Sequence, residues 1–408
     1  MKIINTKIGE PLQPIMLGTP RQISLSILPP LSLYIHIPWC IRKCPYCDFN
    51  SHEAKGAIPE QRYIDCLISD IEYALPNIWG RRVYSVFFGG GTPSLFSAAG
   101  IDAILAAVRA RVTLDAEAEI TLEANPGTFE ADKFRRYRDA GVNRLSIGIQ
   151  SFNAAHLQAL GRVHNDDEAK RAIEIAQHHF DNINLDVMFA LPNQTLAECV
   201  TDLETALSFN TNHLSIYHLT LEPNTLFHRF PPPLPDDELA ADMQDTIEAK
   251  LQAAGYDHYE TSAYSKPGKR SKHNMNYWQF GDYVGIGAGA HGKISYPDQA
   301  RGITREARFK QPKTYMERAA LGLSNQDEKM IAPAELPFEF MLNALRLTEG
   351  FSNDLFIERT GLPISVISRE LEKAVSLGLI ENHHLRIKPT AKGRLFLNDL
   401  LELFLPKA

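Results

Sequence analysis

From about residue 30 onward, short apolar and β-branched runs alternate with stretches whose apolar positions recur at helical spacing. The runs Leu33–Ile37, Val83–Phe88, Glu119–Glu123, Arg144–Ile149, Asn184–Phe189 and Leu214–Leu219 read as strands. Between them, Ile64, Leu67, Ile68 and Ile71, and again Ile101, Ile104, Leu105 and Val108, mark single helical faces. Near-continuous apolar strands separated by helices pair in parallel through right-handed crossovers. Six such units predict an α/β fold: an open, partial (β/α)6 TIM-like barrel over residues 31–230. In such barrels the chemistry gathers where strands end and loops begin.

Outside the barrel the pattern changes twice. Residues 1–30 have no clear period, end in Pro29 and Pro30, and read as a tail. After the sixth unit, the proline-rich stretch Phe230–Pro235 is a linker candidate, followed by a helical stretch from Asp236 to about Ala254 and a Lys-rich segment from Ser265 to Lys272. Residues 231–330 are therefore read as an extension of the barrel. Beyond position 331, Pro337–Leu347, Asn353–Thr360 and Pro363–Leu377 read as helices, and Leu379–Ile380 with Leu385–Ile387 as two short strands. Helices followed by a small hairpin predict a winged-helix-like α+β domain over residues 331–408.

Composition narrows the function classes. The chain has 408 residues, 44% hydrophobic and 22% charged, which is ordinary for a soluble globular protein. Its formal net charge of -7 gives no electrostatic reason for a nucleic-acid partner, and no helix near the C-terminus concentrates basic residues. The apolar stretch Ile23–Pro38 is interrupted by Pro29 and Pro30 and falls short of the ~20 apolar residues of a spanning helix. There is no basic run followed by an apolar core and a cleavage site. The expectation is a cytoplasmic protein with at most peripheral membrane contact. Five cysteines in such a chain do not make a disulfide scaffold, and Cys66 and Cys199, alone in helical patterns, read as buried small hydrophobes in a reducing compartment.

The other three cysteines carry the chemistry. Cys40, Cys44 and Cys47, at C-x3-C-x2-C spacing, sit in a loop directly after the first strand. A structural zinc site wants four protein ligands, so zinc would need a histidine such as His36 or His52 as well. An iron–sulfur cluster held by three thiolates would keep one iron open to an outside ligand. Unligated, buried thiols are the third reading. His36 itself is either a proton donor near the thiols or a satisfied strand residue.

This segment, with Tyr34 ahead of it and the Phe88–Pro93 glycine run one unit later, resembles the signature of the radical S-adenosylmethionine enzymes. The resemblance implies a 4Fe-4S cluster on Cys40, Cys44 and Cys47, whose open iron takes the amino and carboxylate groups of S-adenosylmethionine. It further implies one-electron cleavage of the sulfonium to a 5′-deoxyadenosyl radical. Three glycines let backbone approach a ligand closely. At later strand ends stand Glu123, a carboxylate flanked by apolar residues that is costly to bury unless satisfied, Gln150 and Asp186, with Arg162 beyond.

From Tyr34 to about Tyr296, and again after Pro333, the chain resembles the oxygen-independent coproporphyrinogen III oxidase family. By that resemblance Tyr34, Tyr46, Gly90, Gly91, Thr92, Glu123, Gln150, Arg162 and Asp186 contact S-adenosylmethionine. Gln150, Arg162 and Asp186 match positions linked to a second such molecule in the oxidases. Two departures count against oxidase activity: Phe49 stands where the oxidases carry a fourth cysteine, and the long N-terminal extension that helps bind porphyrinogen has no counterpart.

The segment Lys272–Trp278 instead contains an H-N-x-x-Y-W pattern, followed by the glycine-rich run Gly285–Gly292. That pattern resembles the HemW-type branch, regarded as heme chaperones. An imidazole beside large aromatic rings suits a heme, with His273 as iron ligand and Tyr277 and Trp278 packing on the macrocycle. The bland alternative is a histidine capping a turn beside core aromatics. The resemblance thus implies a heme carrier that serves acceptor hemoproteins such as respiratory enzymes, needs an electron donor for its cluster, and leaves homodimerisation open. The other reading is an enzyme, decarboxylating coproporphyrinogen III to protoporphyrinogen IX.

Overall fold

The computed structural model describes residues 25–126, 131–298, 300–381, 383 and 385–406. Most of the expected N-terminal tail, residues 1–24, lies outside the described residues.

Six parallel strands stand where the apolar runs predict them: Leu31–Ile37, Arg82–Gly90, Thr113–Ala124, Arg144–Gln150, Ile183–Phe189 and His213–His218, neighbours in that order. Helices Glu60–Ile78, Ala98–Arg111, Ala131–Ala140, Asp166–Gln177 and Leu196–Ser208 return the chain between them. Their starts are chemically marked. Asn165 with Glu168, and Thr195 with Glu198, form capping boxes that satisfy amides otherwise left unpaired at a helix N-terminus. The apolar faces of strands and helices merge into one core in which Ile35, Val86, Leu122, Ile147, Leu185 and Leu214 are almost fully buried.

A seventh parallel strand, Asp282–Ile286, lies beside the first and pairs Tyr34 with Gly285. The sequence pattern does not predict it. The sheet remains open and grows at both edges by antiparallel additions to twelve strands. On one side come His291–Ser295, Ile303–Arg308 and Asn325–Met330; on the other, Ala263–Ser265 and Asp257–Glu260.

The C-terminal part has its own core around Leu336, Phe340, Phe356, Leu362 and Leu400, and Phe280 and Ile303 of the preceding segment enter it. Helices Leu336–Ala344 and Asn353–Thr360 match the expected pattern. The expected single helix Pro363–Leu377 begins instead as a 3-10 turn, Ile364–Ile367, before Ser368–Ser376, because Pro363 and the β-branched Ile364, Val366 and Ile367 crowd its first turn. The expected pairing of Leu379–Ile380 with Leu385–Ile387 is corrected: Arg386–Ile387 pairs with Phe351–Ser352, and Ile380 bridges to Pro389. Gly350, in a left-handed conformation (φ 63°), lets the chain turn directly against the Ile387 carbonyl. Among the described residues no helix is long and apolar enough to cross a membrane.

Candidate functional site

At the C-terminal ends of the parallel strands lies a cavity of about 600 Å³. The cysteine loop forms one wall. Cys40, Cys44 and Cys47 are free, half-buried, and all line it. The loop is held from three directions. Trp39–Cys40 pairs in parallel with His52–Glu53, and the Lys43 ammonium crosses the loop to the Phe49 carbonyl at 3.0 Å. From below, Asn50 donates to the Ala288 and Lys310 carbonyls at 2.9 Å each, so the Gly285–Gly292 run is the bed on which the loop rests. A Cβ at Gly289 would collide with Asn50, and one at Gly287 with the His36 carbonyl. His36 is a satisfied strand residue: Tyr34 Oη lies 2.8 Å from its Nδ1, the Asn50 carbonyl 2.9 Å from its Nε2, and burial pushes its pKa down to about 4.

The glycine strap packs against this loop. The Gly91 and Thr92 amides donate to the Ile37 and Trp39 carbonyls at 2.7 and 2.8 Å. A Cβ on Gly90 would stand 2.6 Å from the His36 ring, and one on Gly91 2.5 Å from the Trp39 carbonyl. These glycines are thus required by packing against the first strand, independently of any ligand.

Donors face each thiol. Arg162 Nη1 donates to Cys44 Sγ at 3.8 Å, the Ser51 hydroxyl lies 3.7 Å from Cys47 Sγ, and Thr92 bonds Cys40. Burial pushes the Cys40 and Cys47 thiols up, and these donors work in the opposite direction, as a thiolate ligand set requires. Among the described residues no three His, Cys, Asp or Glu side chains converge closely enough to hold a single metal ion. Three thiolates on one loop leave one iron of a multi-iron cluster without a protein ligand, whereas a structural zinc site takes four.

Across the cavity, Arg162 Nη2 donates to Asn125 Oδ1 at 2.8 Å and to the Gly148 carbonyl at 2.7 Å. Asn125 in turn donates to Thr92 Oγ1 at 3.0 Å, joining strand ends to strap. Gln150 ends its strand with φ 69°, a left-handed conformation rare for a residue with a side chain. Glu123 and Asp186 both line the wall. Burial, then the Asp186 charge, pushes Glu123 up to about 8, while the Gly90 amide opposes the shift. Asp186 is also raised by burial, against hydrogen bonds from Asn184 (2.8 Å) and Ser146 (3.1 Å).

Of the residues singled out in the sequence, the three cysteines, Tyr46, Gly90, Gly91, Thr92, Glu123, Gln150, Arg162 and Asp186 line this one cavity. Tyr34 does not. Nor do His273, Tyr277 and Trp278, which lie on the short helix Lys272–Trp278. The His273 ring stacks on Phe87 with centroids 4.3 Å apart, and its Nδ1 bonds Glu119 Oε1 at 2.8 Å. Burial disfavours the Glu119 charge, but the His273 hydrogen bond and the nearby Arg144 outweigh it and hold this carboxyl well below the usual range. Burial lowers His273, so the pair is a neutral imidazole donating to a carboxylate. Sequence reading missed Asn125, Ser146 and Arg346 in the cavity wall. Asn125 follows Glu123 at the same strand end and was discoverable; Arg346 arrives from the C-terminal part and left no local signal.

An open parallel barrel with a three-cysteine loop at its mouth defines the radical S-adenosylmethionine class, and the Radical SAM superfamily profile matches residues 34–206. The HemN C-terminal domain profile matches residues 331–396. The chain belongs to the family of proteins named heme chaperone HemW: it is 49% identical to that protein of Escherichia coli over 93% of this chain and 99% of the relative. It is 48% identical to the Haemophilus influenzae heme chaperone HemW, over 93% and 98% of the two chains. Against the mouse mitochondrial radical S-adenosyl methionine domain-containing protein 1 it is 36% identical, over 92% and 87%. Among solved structures, Escherichia coli coproporphyrinogen III oxidase shares the fold, with a TM-score of 0.79 at 23% identity over 92% of this chain and 90% of that one. Superfamily membership implies a 4Fe-4S cluster and S-adenosylmethionine.

Proposed function

We propose that this chain is a heme chaperone that binds heme and passes it to acceptor hemoproteins. The observation that carries the reading is its end-to-end correspondence with the Escherichia coli heme chaperone HemW, 99% of whose length is matched. Cys40, Cys44 and Cys47 would hold the cluster, with Arg162, Ser51 and Thr92 donating to its sulfur ligands. When bound, such a cluster offers an open iron to the amino and carboxylate groups of S-adenosylmethionine and supplies the electron for sulfonium cleavage. The Gly90–Thr92 strap, Tyr46, Glu123, Gln150, Arg162 and Asp186 would surround that cofactor. The half-buried carboxyl of Glu123, already held by the Gly90 amide, has room to accept a hydrogen bond from a ribose hydroxyl in the cavity.

For heme, His273 is the proposed iron ligand, through Nε2, because Glu119 holds Nδ1. A carboxylate behind a ligating imidazole fixes its tautomer and raises its basicity. The ring is 4% exposed and stacked on Phe87, so iron ligation requires a local rearrangement around it. The test is anaerobic. Cluster-reconstituted chain is titrated with heme and, separately, incubated with coproporphyrinogen III, S-adenosylmethionine and reductant. Heme bound in a one-to-one complex, a Soret band altered by His273→Ala, and no decarboxylated product support the carrier. Protoporphyrinogen formation without heme binding overturns it in favour of an oxidase.

A further inference from the structure

Three arginines line the cavity: Arg42, Arg162 and Arg346. Arg42 is exposed on the cysteine loop, and Arg162 is bound to Cys44, Asn125 and Gly148. Arg346 differs from both. It follows the Leu336–Ala344 helix of the C-terminal part, yet its guanidinium reaches the cavity wall with its side chain still 28% exposed.

Its position is fixed on every side. The Thr261 amide donates to the Arg346 carbonyl at 3.1 Å, and the Thr348 amide to the Tyr259 carbonyl at 3.2 Å, which pins this stretch to the edge strand Asp257–Glu260. Nη2 donates to Glu260 Oε2 at 3.2 Å, and that carboxylate, itself buried, also accepts from the Ser262 amide. The guanidinium carbon lies 4.3 Å from the Trp278 ring centre. Stacking on an indole leaves the edge donors of a guanidinium available while removing its freedom to turn. Two buried donors in this stack, Arg346 Nε and Trp278 Nε1, have no protein partner. A buried N–H left unmatched is costly and calls for an explanation.

We infer that Arg346, braced by Trp278 and Glu260, binds a carboxylate of the ligand that occupies the cavity mouth, and that this carboxylate is a heme propionate. The inference rests on the carrier reading above. It gives Trp278 a role in positioning Arg346, and it makes the C-terminal part a contributor to the binding site. S-adenosylmethionine also carries a carboxylate, so the experiment separates the two sources.

Full-length chain is titrated with heme and with heme dimethyl ester, whose propionates are capped, following the Soret band; S-adenosylmethionine binding is measured calorimetrically in parallel. Wild type binds heme about tenfold more tightly than the diester, the size of one charge-assisted contact. Arg346→Ala abolishes that preference, weakening heme about tenfold and leaving the diester and S-adenosylmethionine unchanged. Arg346→Lys keeps the charge without the planar fork and recovers part of the preference, which guards against a folding defect in the alanine variant. Trp278→Leu lowers the preference in the same direction. An unchanged heme-to-diester ratio in Arg346→Ala overturns the inference and leaves the carrier reading standing. Weakened S-adenosylmethionine with unchanged heme reassigns the residue to that cofactor and overturns it too. Wild type that binds neither porphyrin removes both.

Discussion

Arg162 and Cys44, 118 positions apart in sequence, meet across the cavity with the guanidinium Nη1 3.8 Å from the thiol sulfur. The same guanidinium holds Asn125 and the Gly148 carbonyl, so one half-buried side chain sets the distance between the cysteine loop and two strand ends. Gly148 is needed for this convergence, since a Cβ there would lie 3.0 Å from Asn125 Oδ1 and 3.4 Å from Arg162 Nη2.

Arg162→Met keeps much of the volume and removes every donor. Asn125 Oδ1 and the Gly148 carbonyl then lose their bonds to Arg162 in a partly buried setting, a loss of about 2–4 kcal/mol. Urea melts of the cluster-free chain measure that loss, and iron per chain after reconstitution measures the second effect, a depleted cluster. Wild-type iron retention in this variant would mean that Arg162 does not position Cys44.

Glu123 makes the ligand-free chain sensitive to alkali. Burial, then Asp186, raises its folded pKa from the ordinary 4.5 to about 8. Between these values the folded state holds a proton that the unfolded state has released. Stability is therefore greatest below about pH 4.5 as far as this group is concerned, falls through the window at up to ~1.4 kcal/mol per pH unit, and levels off above about pH 8. Glu123→Gln cannot ionise. Melts at pH 5 and pH 8.5 should differ less for the variant than for wild type, the remainder coming from groups such as Asp186. Parallel curves for the two proteins would remove Glu123 as the source.

Glu119 works in the opposite sense. Although burial disfavours its charge, His273 and Arg144 keep its folded pKa below the ordinary value of 4.5, so its contribution is present above that value and is lost as pH falls through the folded pKa. Glu119→Ala leaves Arg144 facing an empty partner position and His273 Nδ1 with only the Ser271 hydroxyl at 3.1 Å, with an expected cost of about 3 kcal/mol. It should also change the Soret band of the heme complex, because the orienting carboxylate behind the imidazole is gone. A variant that is destabilised but gives an unaltered heme spectrum would place the iron ligand elsewhere.

Much of this was legible in the chain. The six central strands announce themselves as continuous apolar runs because both faces are covered. The seventh, Asp282–Ile286, does not, because its first residue is a buried aspartate made tolerable by Lys293 at 2.7 Å on the next strand and by Arg81 at 2.9 Å, far away in sequence. Residues at strand ends, such as Glu123 and Gln150, could be collected into one site because the barrel topology fixes where strand ends lie. Arg346 could not, since its place depends on how the C-terminal part docks against Asp257–Glu260. His273 shows the opposite limit: its motif suggested an accessible ligand, whereas the imidazole lies inside, stacked on Phe87.

The glycine strap separates packing from ligand binding by experiment. Gly91 has no room for a side chain because the Trp39 carbonyl would stand 2.5 Å from its Cβ, and backbone cannot yield as a flexible side chain can. Gly91→Ala should push the strap from the cysteine loop, cost about 1–3 kcal/mol and lower the iron retained after reconstitution. Gly80→Ala is the control: its φ of 76° makes alanine strained by about 1 kcal/mol, but nothing lies within 4 Å of the new methyl. Both variants should therefore melt at lower urea concentration than wild type, and only Gly91→Ala should lose iron. Equal iron in the two would show that the loop keeps its thiols in place without the strap, and that Gly90 and Gly91 are there for a ligand's approach alone.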